Sequence, residues 1–410
     1  MKPSLYGLRN YIGIATHYSV MAGVAAAACA LASPWVVGGA ALFSTGYFWA
    51  QIKGSKEIME ETLQPHPENH SRAPRLGQIA RELYKASGLN ADKWPIYDFR
   101  AKDITRHDSA EQADRKREIN KMLQISRFMP NAAALNLGKP VIMISEPLLE
   151  LLNDDEEKAV LAHEFAHAGA RHQHVTIPLK MTAAISRLTN QISLLTALFA
   201  GGVMTFLGGL GVTIGTAIVY KKTHPDYTSQ KPETKEDREK SIRLNRNTNA
   251  LAGLTGLAFF ATVNPALAPL WASIMVLHKV SKVTEGGLSR SLEYQADKGA
   301  VKLGANPLAL ITSLRKLETL QERSIAKVFG GKENMPEKDF IDRAWARAIS
   351  THPTTKQRVG RLTELARKHG YSKEEILHAT QGPLDLSPNA YIPFETIHKM
   401  ASRITPSPTL

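Results

Sequence analysis

The chain has 410 residues, enough for two or three domains at the common size of ~100–200 residues each. Hydrophobic residues make up 43% and charged ones 22%, which excludes a disordered or fibrous chain. Lys and Arg number 51 against 38 Asp and Glu, a net charge of +13 that suits nucleic acid or an anionic membrane face, and the single cysteine, Cys29, excludes an internal disulfide scaffold and a Cys-based zinc site.

From Tyr11 to Ile52 no residue carries a formal charge, and Ser33-Pro34 breaks the run near its middle. The two halves, Ile12–Ala32 and Trp35–Ile52, each approach the ~20 residues that cross a hydrocarbon core. Lys2 and Arg9 before them, and Lys53 and Lys56 after, fit a helical hairpin with both ends in the cytoplasm. A cleaved signal peptide would explain the first run but leave the second without a role. Pro74–Ser87 has helical spacing and stops near Gly88. Ala101–Lys121, with Arg115-Lys116-Arg117, reads as a solvated helix or loop. No zinc finger, helix-turn-helix or aromatic-interleaved basic patch accompanies it, so no nucleic-acid partner is expected. Ala132–Leu137 and Val141–Ser145, either side of Gly138-Lys139-Pro140, predict a β-hairpin.

Asn153-Asp154-Asp155-Glu156 opens a helix, with an Asx cap, a glutamate three positions on, and acidic residues against the positive end of the dipole. Two further uncharged blocks, Leu188–Tyr220 and Asn247–His278, are each longer than a membrane crossing needs. Lys221–Arg246 between them is polar and carries eight Lys or Arg against five Asp or Glu. A simple four-crossing chain puts this loop outside, against the positive-inside tendency; otherwise one of the blocks is re-entrant or interfacial.

The chemistry is at 163–167, where His163-Glu164-Phe165-Ala166-His167 is an H-E-x-x-H pattern within the capped helix. Four residues turn a helix through about 400°, so both imidazoles share a face and can share one Zn²⁺. Glu164, one step round, can reach a water on the metal and take its proton. A catalytic zinc needs a third protein ligand. His172 and His174 are the local candidates, but a metzincin spacing would need Gly and His where Ala170 and Gln173 stand. The distant segment Ser289–Asp297 is the better candidate. Its Glu293 and Asp297 lie four apart on one helical face, so Glu293 can bind the metal while Asp297 fixes a ligand imidazole.

His163–His167, Ser289–Asp297, Pro130-Asn131-Ala132 and Thr351-His352-Pro353 followed by Arg358, set among four hydrophobic stretches, resemble the HtpX-type membrane zinc metallopeptidases, relatives of the CAAX prenyl proteases. The similarity runs to about Leu365. It implies an α+β fold: a predominantly helical, gluzincin-like peptidase lobe with a small sheet, combined with about four transmembrane helices. By it, His163, His167 and Glu293 hold one Zn²⁺ per chain, and Glu164 is the general base. His352 is then catalytic near the developing oxyanion, Asn131 lies on the substrate side, and Asp297 and Arg358 support the ligands. Residues 102–122, the loop 221–246 and the tail beyond 382 look larger than the family pattern.

The expected organisation is an N-terminal transmembrane hairpin over 1–55, a first part of the peptidase lobe over 56–187, and membrane segments over 188–280. A second part of the lobe follows over 281–381, and a tail over 382–410. The expected function is zinc-dependent endoproteolysis of membrane or misfolded proteins, a quality-control activity, by a chain integral to the lipid bilayer. The absence of an Arg- and Ser-rich transit segment favours a bacterial inner membrane, with the lobe facing the cytoplasm. The alternatives are a catalytically inactive membrane scaffold or chaperone that retains the zinc site, and a metal-handling membrane protein using His17, His167, His172 and His174. Glu164 has no ligand duty in the first, and the carboxylates expected in a cation pathway are missing from the apolar stretches for the second.

Overall fold

A computed structural model describes residues 62–65, 73–87, 96–136, 140–169, 268–328 and 352–386, with scattered positions between 42 and 262. Most of the four apolar stretches, the loop 221–246, His172, His174 and the tail beyond 386 lie outside the described residues. No helix among the described residues is long and apolar enough to cross a membrane.

Four strands, β1 (Leu63–Pro65), β2 (Ile96–Ala101), β3 (Ala132–Asn136) and β4 (Pro140–Ile144), form a sheet in the order β1-β2-β4-β3. β1 runs antiparallel to β2, β2 parallel to β4, and β4 antiparallel to β3, with Ala132 opposite Ile144 and Asn136 opposite Pro140. Among the described strands β3 therefore lies at an edge. Strand alternation divides the sheet's two faces. Tyr97, Phe99, Ala101, Val141 and Met143 pack on one side with Ile119 and Leu123 of α2 (Ala110–Phe128). Ile96, Ile142 and Ile144 face the other way into the main core. The charged segment 101–121 thus supplies an exposed turn and then a helix with one buried face. Its first turn is closed by a reciprocal cap between Ser109 and Gln112.

The main core is built around α4 (Asp154–Gly169), which follows the short α3 (Glu146–Leu151). Leu161, Ala162 and Phe165 are fully buried, and α4 packs against α1 (Ala73–Ser87), β3, α5 (Ala268–Lys302) and α6 (Pro307–Val328). The Tyr84 ring of α1 meets Phe165 edge-on, with centroids 4.6 Å apart. α5 runs 35 residues without interruption, from the end of the second uncharged block through Glu293 and Asp297. Gly304, at φ 90°, supplies the left-handed residue that ends it and lets α6 fold back. α7 (Thr355–Lys368) and α8 (Lys373–Gln381) complete the lobe by packing on α6.

Two contacts set where α4 lies. A Cβ on Gly299 of α5 would stand 2.7 Å from Cβ of Ala166, so the missing side chain permits the close approach of the two helices. At the other end, Asn153 Oδ1 accepts from the Glu156 backbone and Glu156 Oε2 accepts from the Asn153 backbone, both at 3.0 Å. The buried Lys316 of α6 then donates to that same Glu156 oxygen at 2.7 Å and to the Leu151 carbonyl at 3.3 Å.

Lys316→Met leaves the Glu156 carboxylate buried without its cation, and is expected to lower stability by about 3–5 kcal/mol in chemical denaturation. The double variant with Glu156→Gln should recover part of that loss. Gly299→Ala should cost about 1–3 kcal/mol by overpacking, despite the better helix propensity of alanine. A thermal midpoint equal to that of the unsubstituted protein would remove the close-approach account.

Candidate metal centre

Three helices deliver the side chains. α4 presents His163, Glu164 and His167, α5 presents Glu293 and Asp297, and α7 presents Arg358 just after His352-Pro353. A reciprocal cap starts α7: Thr354 Oγ1 accepts from the Gln357 backbone at 3.3 Å and Gln357 Oε1 from the Thr354 backbone at 3.2 Å. Capping there places Arg358 one turn inside the helix.

One atom each from His163, His167 and Glu293 lies within 4.8 Å of the others. The two Nε2 atoms are 3.1 Å apart, and Glu293 carboxylate oxygens stand 3.4 Å from His163 Nε2 and 3.7 Å from His167 Nε2. A tetrahedral zinc with ligands at ~2.0–2.2 Å would hold its donors roughly 3.3–3.6 Å apart, so this donor set fits the ion. The chemistry fits too, with two imidazoles and one carboxylate.

Behind the donors is a buried ion-paired layer. His163 Nδ1 lies 2.9 Å from Asp297 Oδ1, which directs Nδ1–H at the carboxylate and the Nε2 lone pair at the donor triangle. Arg358 grips Asp297 with both arms, Nε at 2.9 Å and Nη2 at 2.5 Å, and its Nη1 lies 3.4 Å from Glu293. Asp297 is 2% exposed and Glu293 6%. Burial opposes their ionisation, but hydrogen bonds from His163, together with Arg358 at Asp297 and His352 at Glu293, hold both well below the usual carboxylate range. Burial and the Arg358 charge also oppose protonation of His163, yet its bonds to Asp297 and Glu293 lift it to about 9 in the metal-free site.

Glu164 is placed differently. Its carboxylate accepts a hydrogen bond from the backbone N–H of Ala134 on β3, while burial pushes its pKa up. The H-E-x-x-H glutamate therefore touches the edge strand. His352 has a side chain 70% exposed, with Nδ1 3.0 Å from Glu293 Oε1, and that bond raises its pKa. Asn131 lies half-buried at the start of β3, and its main chain is held by Ser145. The structure thus brings His163, Glu164, His167, Glu293, Asp297, His352 and Arg358 together.

Two participants were absent from the sequence reading: the Ala134 amide, which backbone chemistry hides from any motif, and Ser145, seen there only as the end of a strand. Among the described residues Glu293 stands nearest as a third donor for His163 and His167, while His172 and His174 lie outside them.

Against known families, residues 70–223 and 239–366 match the profile of peptidase family M48. The chain belongs to that family. It is accordingly a metallopeptidase, a hydrolase. This M48 peptidase is 28% identical over 270 residues to a protein named Protease HtpX homolog from Aquifex aeolicus, covering 64% of this chain and 72% of the relative. It is 29% identical over 254 residues to the Sulfurihydrogenibium protein of that name, covering 58% and 66%, and 29% identical over 244 residues to the Methanopyrus kandleri one, covering 58% and 57%. No solved structure matches the chain significantly. The family match spans both ligand-bearing segments and ends within α7, so α8 lies beyond it.

Because a metal must displace the proton on His163, apparent zinc affinity should rise with pH, by up to about tenfold per unit, until about 9. In the metal-free protein the sign reverses. A raised histidine pKa stabilises the fold fully below an unfolded value of about 6.5, and that contribution fades as pH rises through about 9. Competition against a chromogenic chelator at several pH values measures the first effect, and a flat affinity between pH 6 and 9 would remove the proton from the account.

Proposed function

We propose that the chain is a membrane-bound, zinc-dependent endopeptidase that hydrolyses peptide bonds of membrane or misfolded proteins, with Glu164 as general base. The observation that carries this reading is the placement of Glu164, one residue from the donor triangle and hydrogen-bonded to the edge strand β3. His163, His167 and Glu293 would hold one zinc ion, which supplies Lewis-acid polarisation of a carbonyl and lowers the pKa of a water towards about 7.

Glu164 takes the proton of the attacking water at its carboxylate and passes it to the leaving amine nitrogen. Its raised pKa suits both halves of that task, since the group must accept a proton and then release it. His352 is exposed beside Glu293, where an imidazolium can donate to the oxygen that gains charge. Asp297 and Arg358 hold the His163 ring and the Glu293 carboxylate in place. An extended substrate can add along the outer edge of β3, where the Ala134 amide meets Glu164, through main-chain bonds beside Asn131, a mode that tolerates many side chains. Such tolerance suits quality control better than one dedicated cut.

The uncharged blocks, with their Lys and Arg flanks, support insertion into a bacterial cytoplasmic membrane with the lobe facing the cytoplasm. Residues 268–278 of the second central block continue directly into the α5 segment that carries Glu293. One helix thereby ties the apolar region to the site.

The test compares casein cleavage by detergent-purified protein and by Glu164→Gln, with zinc counted by mass spectrometry. The expected result is one zinc per chain in both and a loss of at least ~10²-fold in kcat in the variant. Zinc in both with equal cleavage would end the general-base assignment. His163→Ala and Glu293→Ala should lose zinc and activity together, and full zinc in the latter would show another third ligand.

A further inference from the structure

Ser145 stands between β4 and α3, and is completely buried. It occupies the N-cap position of α3, where a serine hydroxyl usually accepts from the helix's own first amides, yet it makes no such bond. Its backbone carbonyl instead accepts from the Leu148 and Leu149 amides as α3 begins. That carbonyl has turned away from the β3–β4 ladder, which pairs Ala132 with Ile144 as its last step. The hydroxyl takes over its place. Ser145 Oγ accepts from the Asn131 N–H at 2.9 Å, and the Ser145 N–H donates to the Asn131 carbonyl at 2.9 Å. Oγ also donates to the Met129 carbonyl at 2.8 Å, at the C-cap of α2. One side chain thus extends the ladder by a residue beyond the point where the backbone could, and both main-chain groups of Asn131 are spent on it.

We propose that Ser145 is a positioning residue for substrate: its hydroxyl holds Asn131 and the leading end of β3 in register at the strand edge opposite Glu164. The inference rests on the reading of β3 and Asn131 as the substrate side. A residue with both backbone groups fixed presents its side chain and the strand after it without an ordering cost on binding. Without the hydroxyl, the Asn131 amide and the Met129 carbonyl each lose a partner, and the strand end is free to slip from the ladder. Ala134, three residues along, carries the amide that meets Glu164, but its own pairing with Ile142 holds it in the ladder, so loosening Asn131 leaves the base in place.

The experiment uses the full chain in detergent with labelled casein as the probe, and compares Ser145→Ala, Asn131→Ala, the double variant and the hydroxyl-retaining Ser145→Thr. Zinc content, kcat, KM and hydrogen exchange of the peptide spanning Asn131 are measured for each. Ser145→Ala is expected to keep its zinc, to speed exchange at Asn131 at least tenfold, and to raise KM at least fivefold with kcat within twofold. The double variant should be no worse in KM than the worse single one, and Ser145→Thr should restore at least part of the loss. If Asn131→Ala raises KM while Ser145→Ala does not, the inference fails and the reading of the substrate side stands. If Asn131→Ala leaves KM unchanged, that reading falls and this inference with it. Loss of zinc, or an equal fall in kcat, in Ser145→Ala would mark Ser145 as a support of the fold alone and overturn the proposal.

Discussion

Asp297 is the carboxylate on which the site depends. It joins three helices at one buried point, receiving His163 of α4 and both arms of Arg358 of α7 while standing on α5 itself. A carboxylate in so apolar a setting is ionised only because those donors surround it. In return it orients one imidazole, and the same guanidinium that neutralises it steadies Glu293 four residues earlier on α5. Removing Arg358 would leave both carboxylates buried without the cation they share, and removing Asp297 would leave the His163 ring without the carboxylate that orients it. The donor triangle is therefore backed by a buried layer that orients His163 and Glu293.

The helices can share that point because of how α4 and α5 meet. Gly299 lets the two backbones approach at Ala166, two residues past Asp297 towards the end of α5. At the opposite end of α4, the Asn153–Glu156 cap is extended into the core by Lys316, which ties the start of the H-E-x-x-H helix to α6. α4 is thus pinned at both ends, and its middle residues meet neighbours on nearly every side. Chemistry placed on such an element moves little, which is what preorganised proton transfer needs.

The sheet plays the complementary part. β4 is central and buried on both faces, so its register is strongly specified, and β3 inherits that register by pairing with it. The free side of β3 carries the Ala134 amide to Glu164. An edge strand is ordinarily a liability because its backbone groups lack partners. Here that edge lies beside Glu164, which is why the proposed substrate path runs along it.

Much of this was legible before any fold was known. The Asx cap, the H-E-x-x-H spacing, the hairpin either side of Gly138-Lys139-Pro140 and the helical face shared by Glu293 and Asp297 are local periodicities, and local hydrogen bonding enforces them wherever the chain goes. β2 carried a usable signal, with Tyr97, Phe99 and Ala101 alternating with Asp98 and Arg100, and went unread, whereas β1 has three residues and no period to detect. The buried face of α2 escaped because Ile119 and Leu123 are outnumbered by charges. The sequence by itself determined which residue types could hold a metal and which helix would carry the H-E-x-x-H residues. Only the tertiary structure brings Glu293 beside His163 and His167, sets Arg358 against Asp297 and Glu293, and bonds Glu164 to Ala134 and Ser145 to Asn131. Contacts of this site join residues as many as 195 positions apart, and their geometry comes from packing around a shared core, which no local pattern encodes.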